Sequence, residues 1–175
     1  MEYALVAYFK REGWLPAVVP PPLFRGVDQL PVVSGSVSPI TAQQIAHAAQ
    51  HGFRVISLDA SRLLGGDASA NACIEDALSA ALSSLADGGS PLICSAQGPD
   101  DPAVTAFRAA TVHHGVDEAE ANATLGAALG TVLSRILDRS GLTRAVVSGG
   151  DTSGAVTPHL YPHAEGRLAG MGLDL

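Results

Sequence analysis

The sequence predicts an α/β domain, a largely parallel sheet with flanking helices in three α/β/α layers. Three observations carry this. Short apolar runs of strand length alternate with longer segments of helical spacing, which implies parallel β-α-β crossovers. The 175 residues suit one domain able to bury a core without staples. Hydrophobic residues make up 47% and charged residues 15%, with 19 glycines and 5% aromatics, a composition suited to tight packing of small side chains.

The opening, Met1 to Pro22, is interrupted by Glu2, Lys10, Arg11 and Glu12, so it has no signal-peptide core. It reads instead as an amphipathic helix with Leu5, Val6 and Phe9 on one face and Gly13 as its stop, followed by an extended connector through Pro16, Pro20, Pro21 and Pro22. Pro31 to Ser34 is the first strand. It runs into the hydroxyl-rich loop Gly35-Ser36-Val37-Ser38, where Ser38 and Pro39 are an N-cap and first helical residue, and that helix reaches Gly52. Phe53 to Leu58 follows as a strand and Ala68 to Ala86 as a helix closed by Gly88-Gly89. Pro91 to Ser95 is a third strand whose following loop, reaching through Ser95 and Gly98, is a further candidate for a ligand rim.

Val104 to Gly115 is less regular. Its adjacent His113 and His114 would point about 100° apart on a helix and cannot chelate one metal well, so they are expected to be surface or capping groups. Asp117 to Ser140 carries an apolar stripe from Leu125 to Leu137, stops at Gly141, and feeds the strand Thr143 to Ser148, a crossover expected to be right-handed. Beyond Val156 the pattern decays. His159 and His163 have a chelating spacing, but Pro162 between them argues against a regular helix, and no side-chain metal site is assigned.

The last strand ends in Gly149-Gly150-Asp151-Thr152-Ser153-Gly154. Glycines let backbone approach a ligand, inward N–H groups form a nest for an anion, and Thr152 and Ser153 add hydroxyl donors. Asp151 beside a phosphate needs an intervening cation, which suits Mg²⁺ or a water on it; otherwise it accepts a ribose hydroxyl. The same residues also fit a plain tight turn in which Asp151 caps a helix.

Charge narrows the partners. A net charge of -7 argues against nucleic acid, whose phosphates recruit basic faces, but not against a nucleotide held by backbone amides. No stretch approaches the roughly 20 apolar residues of a membrane span. Cys73 and Cys94 fit reduced core residues of a cytoplasmic protein.

Leu5-Val6-Ala7-Tyr8 with Gly13, the run Val32 to Ile45, and Val147 to Val156 together resemble the C-terminal nucleotide-binding domain of the four-carbon acid sugar kinases, a family once catalogued as of unknown function, some of whose members were labelled Hrp-dependent type III effectors. The resemblance covers about Glu2 to Val156. It implies ATP and Mg²⁺ as cofactors, with Ser36 contacting the nucleotide from the first loop and Gly149, Gly150, Asp151 and Thr152 from the second, and Ser153 beside them. The implied reaction is phosphoryl transfer from ATP to a threonate, erythronate or oxo-tetronate hydroxyl.

Two departures accompany it: residues 1–175 contain no sugar-acid domain, and residues 157–175 lack the Lys-Ser-Gly-Asn-Phe-Gly run usual in the family. The expectation is therefore a nucleotide-binding domain over residues 1–156 with a divergent or disordered tail over 157–175. It is expected to be inactive alone, to meet a sugar acid only in a full-length protein, and to form a homodimer through its apolar surface. No catalytic base is named. The alternative is a non-catalytic, effector-like remnant that keeps the fold without the ligand. A dinucleotide enzyme is disfavoured because no Gly-x-Gly-x-x-Gly follows a strand.

Overall fold

The computed structural model describes residues 2–14 and 26–160. Helix α1 (Glu2–Arg11) comes first, and the Phe9 and Trp14 rings stack at its end, 5.7 Å between centroids. The proline-rich connector, His163 and most of the tail lie outside the described residues, as does the Leu5 side chain. The remaining elements follow as β1 (Val32–Ser34), α2 (Pro39–Gln50), β2 (Phe53–Ser57), α3 (Ala60–Leu63), α4 (Asp67–Ala86), β3 (Ser90–Cys94), α5 (Pro102–His114), α6 (Glu118–Ser140), β4 (Val146–Ser148) and α7 (Gly150–Leu160).

The four strands form one parallel sheet in the order β2-β3-β1-β4, in register from Val32 opposite Leu92 and Val146 to Ser34 opposite Cys94 and Ser148. Alternation sorts their side chains between two cores. Val33, Ile56 and Ile93 face α4, α6 and α7, where Leu78, Leu129 and Leu133 are fully buried. Val32, Leu92 and Cys94 face the other way, against Ile45 of α2. Burying each such aliphatic side chain contributes about 1.5–3 kcal/mol, so these two layers hold the sheet flat-on between helices. This is the expected three-layer α/β/α sandwich.

Chain direction explains the layers. The step from β1 to β2 moves one way across the sheet and uses α2 on one face; the steps from β2 to β3 and β3 to β4 move the other way and use the opposite face. A single crossover hand requires that arrangement.

Three segments differ from expectation. Residues 104–115 are not irregular: α5 is a regular helix, capped by Asp101 through the Ala103 N–H, begun by Pro102 and closed by Gly115 at φ 66°. The short α3, capped by Asp59, occupies the stretch between β2 and α4, for which the sequence suggested no element. Helix α7 continues past Val156 to Leu160 and carries Pro158 in its last turn. His113 and His114 end α5 exposed, their rings edge to face at 4.9 Å.

Candidate functional site

The carboxyl ends of β1, β3 and β4 open onto a cavity of about 780 Å³, within the size range of small-molecule sites. The adjacent strands β1 and β3 send their connections in opposite directions there, the switch point at which open α/β sheets gather ligands. Ser95 N–H donates to Ser34 O at 3.2 Å and ties the two strand ends together.

The floor is made by the two loops singled out in the sequence. Ser36 lines it from the first, and Gly149, Gly150, Asp151 and Thr152 from the second. Their approach is close enough to exclude side chains: a Cβ on Gly149 would lie 2.9 Å from Thr152 Oγ1 and 3.3 Å from Ser36 Cβ, and one on Gly35 would run into the Thr152 hydroxyl. Gly149 also has φ 112°, a conformation natural to glycine. A Cβ on Gly150, itself a lining residue, by contrast meets nothing within 4 Å.

Backbone donors follow from helix geometry. An α-helix leaves its first N–H groups without internal acceptors, so those of Gly150, Asp151 and Thr152 begin α7 unpaired, and the first internal bond runs from Ser153 N–H to Gly149 O at 2.9 Å. Helices α2, α5 and α6 close that end with Ser38, Asp101 and Asp117. Gly149 has no side chain with which to cap α7. The open end, its dipole and the cavity coincide, which is the arrangement that binds an anion.

Hydroxyls divide into two groups. Ser36 Oγ is 2.9 Å from Thr41 Oγ1, which is 2.9 Å from Ser38 Oγ, so Ser36 is anchored to the start of α2. Ser153 does not line the cavity: its hydroxyl donates to Gly149 O at 2.7 Å and holds the loop. Of the third candidate loop, Ser95 reaches the cavity while Gly98 borders a separate, shallower depression with Asp100 and Asp101. The Asp101 carboxylate accepts from Gln97 and Ala103 N–H groups, which lowers its pKa and makes it a loop brace. Burial pushes the Cys94 thiol up to about 11, and Cys73 is raised for the same reason, so neither is a nucleophile at neutral pH.

No cluster of three metal-ligating side chains occurs among the described residues. Mg²⁺ does not need one, since it keeps several waters and takes one or two carboxylates plus phosphate oxygens. The exposed Asp151 on the cavity floor, in the first turn of the anion-binding end, fits that donor set.

Sequence patterns missed the walls. Helix α5 contributes Val104, Phe107, Arg108 and Thr111, and α6 contributes Glu118 and Asn122. Arg108 is the cation among the lining residues. The spacing of Val104, Phe107 and Thr111 was the available signal for one wall; nothing in the sequence marked Arg108 or Asn122.

Comparison with known proteins bears on this site. Residues 32–164 match the family model described as the nucleotide-binding C-terminal domain. Over 171 residues, 98% of this chain and 36% of the relative, the sequence is 42% identical to 3-oxo-isoapionate kinase of Paraburkholderia graminis. Over 128 residues, 73% of this chain and 27% of the relative, it is 40% identical to 3-oxo-tetronate kinase of Methylobacterium radiotolerans. A solved structure from Salmonella typhimurium LT2, provisionally named a tRNA synthase, superposes with a TM-score of 0.54 at 31% identity, over 77% of this chain and 30% of that one. The chain thus spans about a third of the length of the curated relatives it matches.

Proposed function

The chain belongs to the nucleotide-binding C-terminal domain family of the four-carbon acid sugar kinases, and on that premise we propose that its cavity holds Mg-ATP for phosphoryl transfer to a hydroxyl of a 3-oxo sugar acid. The observation that carries the reading is the uncapped start of α7 opening beside Ser36. In this reading the N–H groups of Gly150, Asp151 and Thr152 bind the phosphates, and the Ser36 and Thr152 hydroxyls add donors.

Asp151 would hold Mg²⁺ through an oxygen or a bound water, and the bound ion would supply charge neutralisation for phosphoryl transfer. The chain's own part is positioning. Fixed N–H dipoles at the strand ends keep the triphosphate in one orientation, and the glycine contacts keep water-filled space from replacing those donors. The chain spans about a third of the curated relatives' length, so in this reading the acceptor acid and the base that takes its proton come from outside these residues.

Calorimetric titration of the chain with Mg-ATP tests the assignment, alongside Gly150→Val. Because that Cβ points into open space, the valine variant keeps its melting transition and loses nucleotide binding. A wild-type chain that melts cooperatively and takes up no Mg-ATP at millimolar concentration would refute the reading and leave the non-catalytic remnant.

A further inference from the structure

We propose, resting on the nucleotide reading above, that the cleft between α5 and α6 receives the nucleoside and that Asn122 reads the edge of its base as adenine. The cavity extends beyond what phosphates on the strand-end loops occupy: its walls run along α5 from Val104 to Val112 and along α6 from Glu118 to Leu125. At 1.5 Å per residue, the α5 wall alone is about 12 Å long, room for a ribose and base beyond the phosphates.

The cleft has a direction. The turn at 115–117 sends α6 back past α5, so Val104 and Leu125 lie at the end next to the strands while Thr111, Ala121 and Asn122 lie towards the turn. Anion donors are at one end and an apolar slot with an amide at the other, which is the polarity of a nucleotide.

The slot also lacks an internal occupant. Helix α5 rests on α3 and has no buried residue of its own, although Val104, Phe107, Thr111 and Val112 give it an apolar stripe, with Val112 82% exposed. A planar heteroaromatic ring between that stripe and the buried Ala121 and Leu125 supplies the missing packing.

Polar selection falls to few groups. The Thr111 hydroxyl already donates to Phe107 O at 2.9 Å. The Asn122 side chain is exposed to the cavity with no hydrogen bond among the described residues, and a carboxamide offers adjacent donor and acceptor atoms that pair with the amino group and a ring nitrogen of adenine.

Titrating the chain separately with Mg-ATP, Mg-GTP and magnesium tripolyphosphate, as wild type, Asn122→Leu and Thr111→Trp, tests this. The wild type is expected to favour ATP over both competitors, and Asn122→Leu to weaken ATP by about tenfold or more while leaving tripolyphosphate within about twofold. Thr111→Trp, which fills the slot from an exposed helix, does the same by a steric route. Equal binding of ATP and tripolyphosphate by the wild type, or ATP binding unchanged in both variants, overturns the nucleoside assignment and leaves the phosphate site standing. Failure of the wild type to bind any of the three overturns the nucleotide reading, and the cleft assignment with it.

Discussion

Gly149 and Gly150 are neighbours with opposite tolerances, and the difference is physical. Gly149 sits at φ 112° with Thr152 Oγ1 2.9 Å from where its Cβ would be, so Gly149→Ala must strain the backbone and displace a buried threonine. That costs about 1–3 kcal/mol, read as a lowered urea midpoint, whereas Gly150→Val leaves the midpoint nearly unchanged; equal loss from both would refute the loop geometry. Asp101 supports a second prediction. Its carboxylate accepts the Ala103 and Gln97 N–H bonds at 2.9 and 2.8 Å, which lowers its folded pKa, so its contribution is complete above the unfolded carboxylate value and vanishes as pH falls through the folded one. Asp101→Ala is expected to destabilise by about 1 kcal/mol at pH 7, the cost of an N-cap. The gap from wild type should begin to shrink below about pH 4, the ordinary carboxylate range, and go on shrinking through the lowered folded value. A gap that does not shrink at all between about pH 5 and pH 3 would mean that the side chain acts by something other than its charge.

At the scale of elements, the site depends on how α7 is seated. Gly126 and Gly130 of α6 face Ala155 and the His159 ring of α7 so closely that a Cβ on Gly126 would overlap the Ala155 methyl. This contact fixes the helix whose first N–H groups meet the cavity. Gly126→Ala is therefore expected to cost about 1–3 kcal/mol by overpacking and to weaken nucleotide binding, with Ala155→Gly in the same chain restoring much of both; a double-mutant cycle by urea unfolding measures the coupling. The same element shows what the sequence could reveal. Strands were legible because Val32-Val33 and Leu92-Ile93-Cys94 are buried on both faces and leave unbroken apolar runs. The long α6 was legible because its stripe is buried. Helix α5 was not, since none of its residues is fully buried and only Phe107 packs against the core, and burial is what writes a period into a sequence. The glycine loops could be found as anion devices, but Arg108 and Asn122 are isolated polar residues whose meaning comes from the cleft they face.

On the scale of the molecule, a chain of net charge -7 must take up a polyanion. In the proposed reading, fixed N–H donors and a divalent cation offset that repulsion; the described lining adds the single guanidinium of Arg108. Chelating the Mg²⁺ should accordingly weaken ATP far more than added monovalent salt does. Ligand linkage gives the magnitude: Mg-ATP at a hundred times its Kd stabilises the fold by about 2.7 kcal/mol, or about 5–10 °C in Tm for a domain of this size. Where that stabilisation lands is the sharper measurement. Helix α5, unburied and resting on α3, should exchange its amide hydrogens fastest among the long helices of the free chain, because few contacts oppose its local opening. With Mg-ATP bound, amide exchange is expected to slow at residues 149–153 and along Pro102–His114 by more than in α4, which is packed on the sheet away from the cavity and slows only by the global stabilisation. Protection confined to residues 149–153 would place the phosphates on the loops and the rest of the nucleotide in solvent. Slowing of α5 no greater than that of α4 would report global stabilisation alone and remove the ground for treating α5 as a wall of the nucleoside cleft.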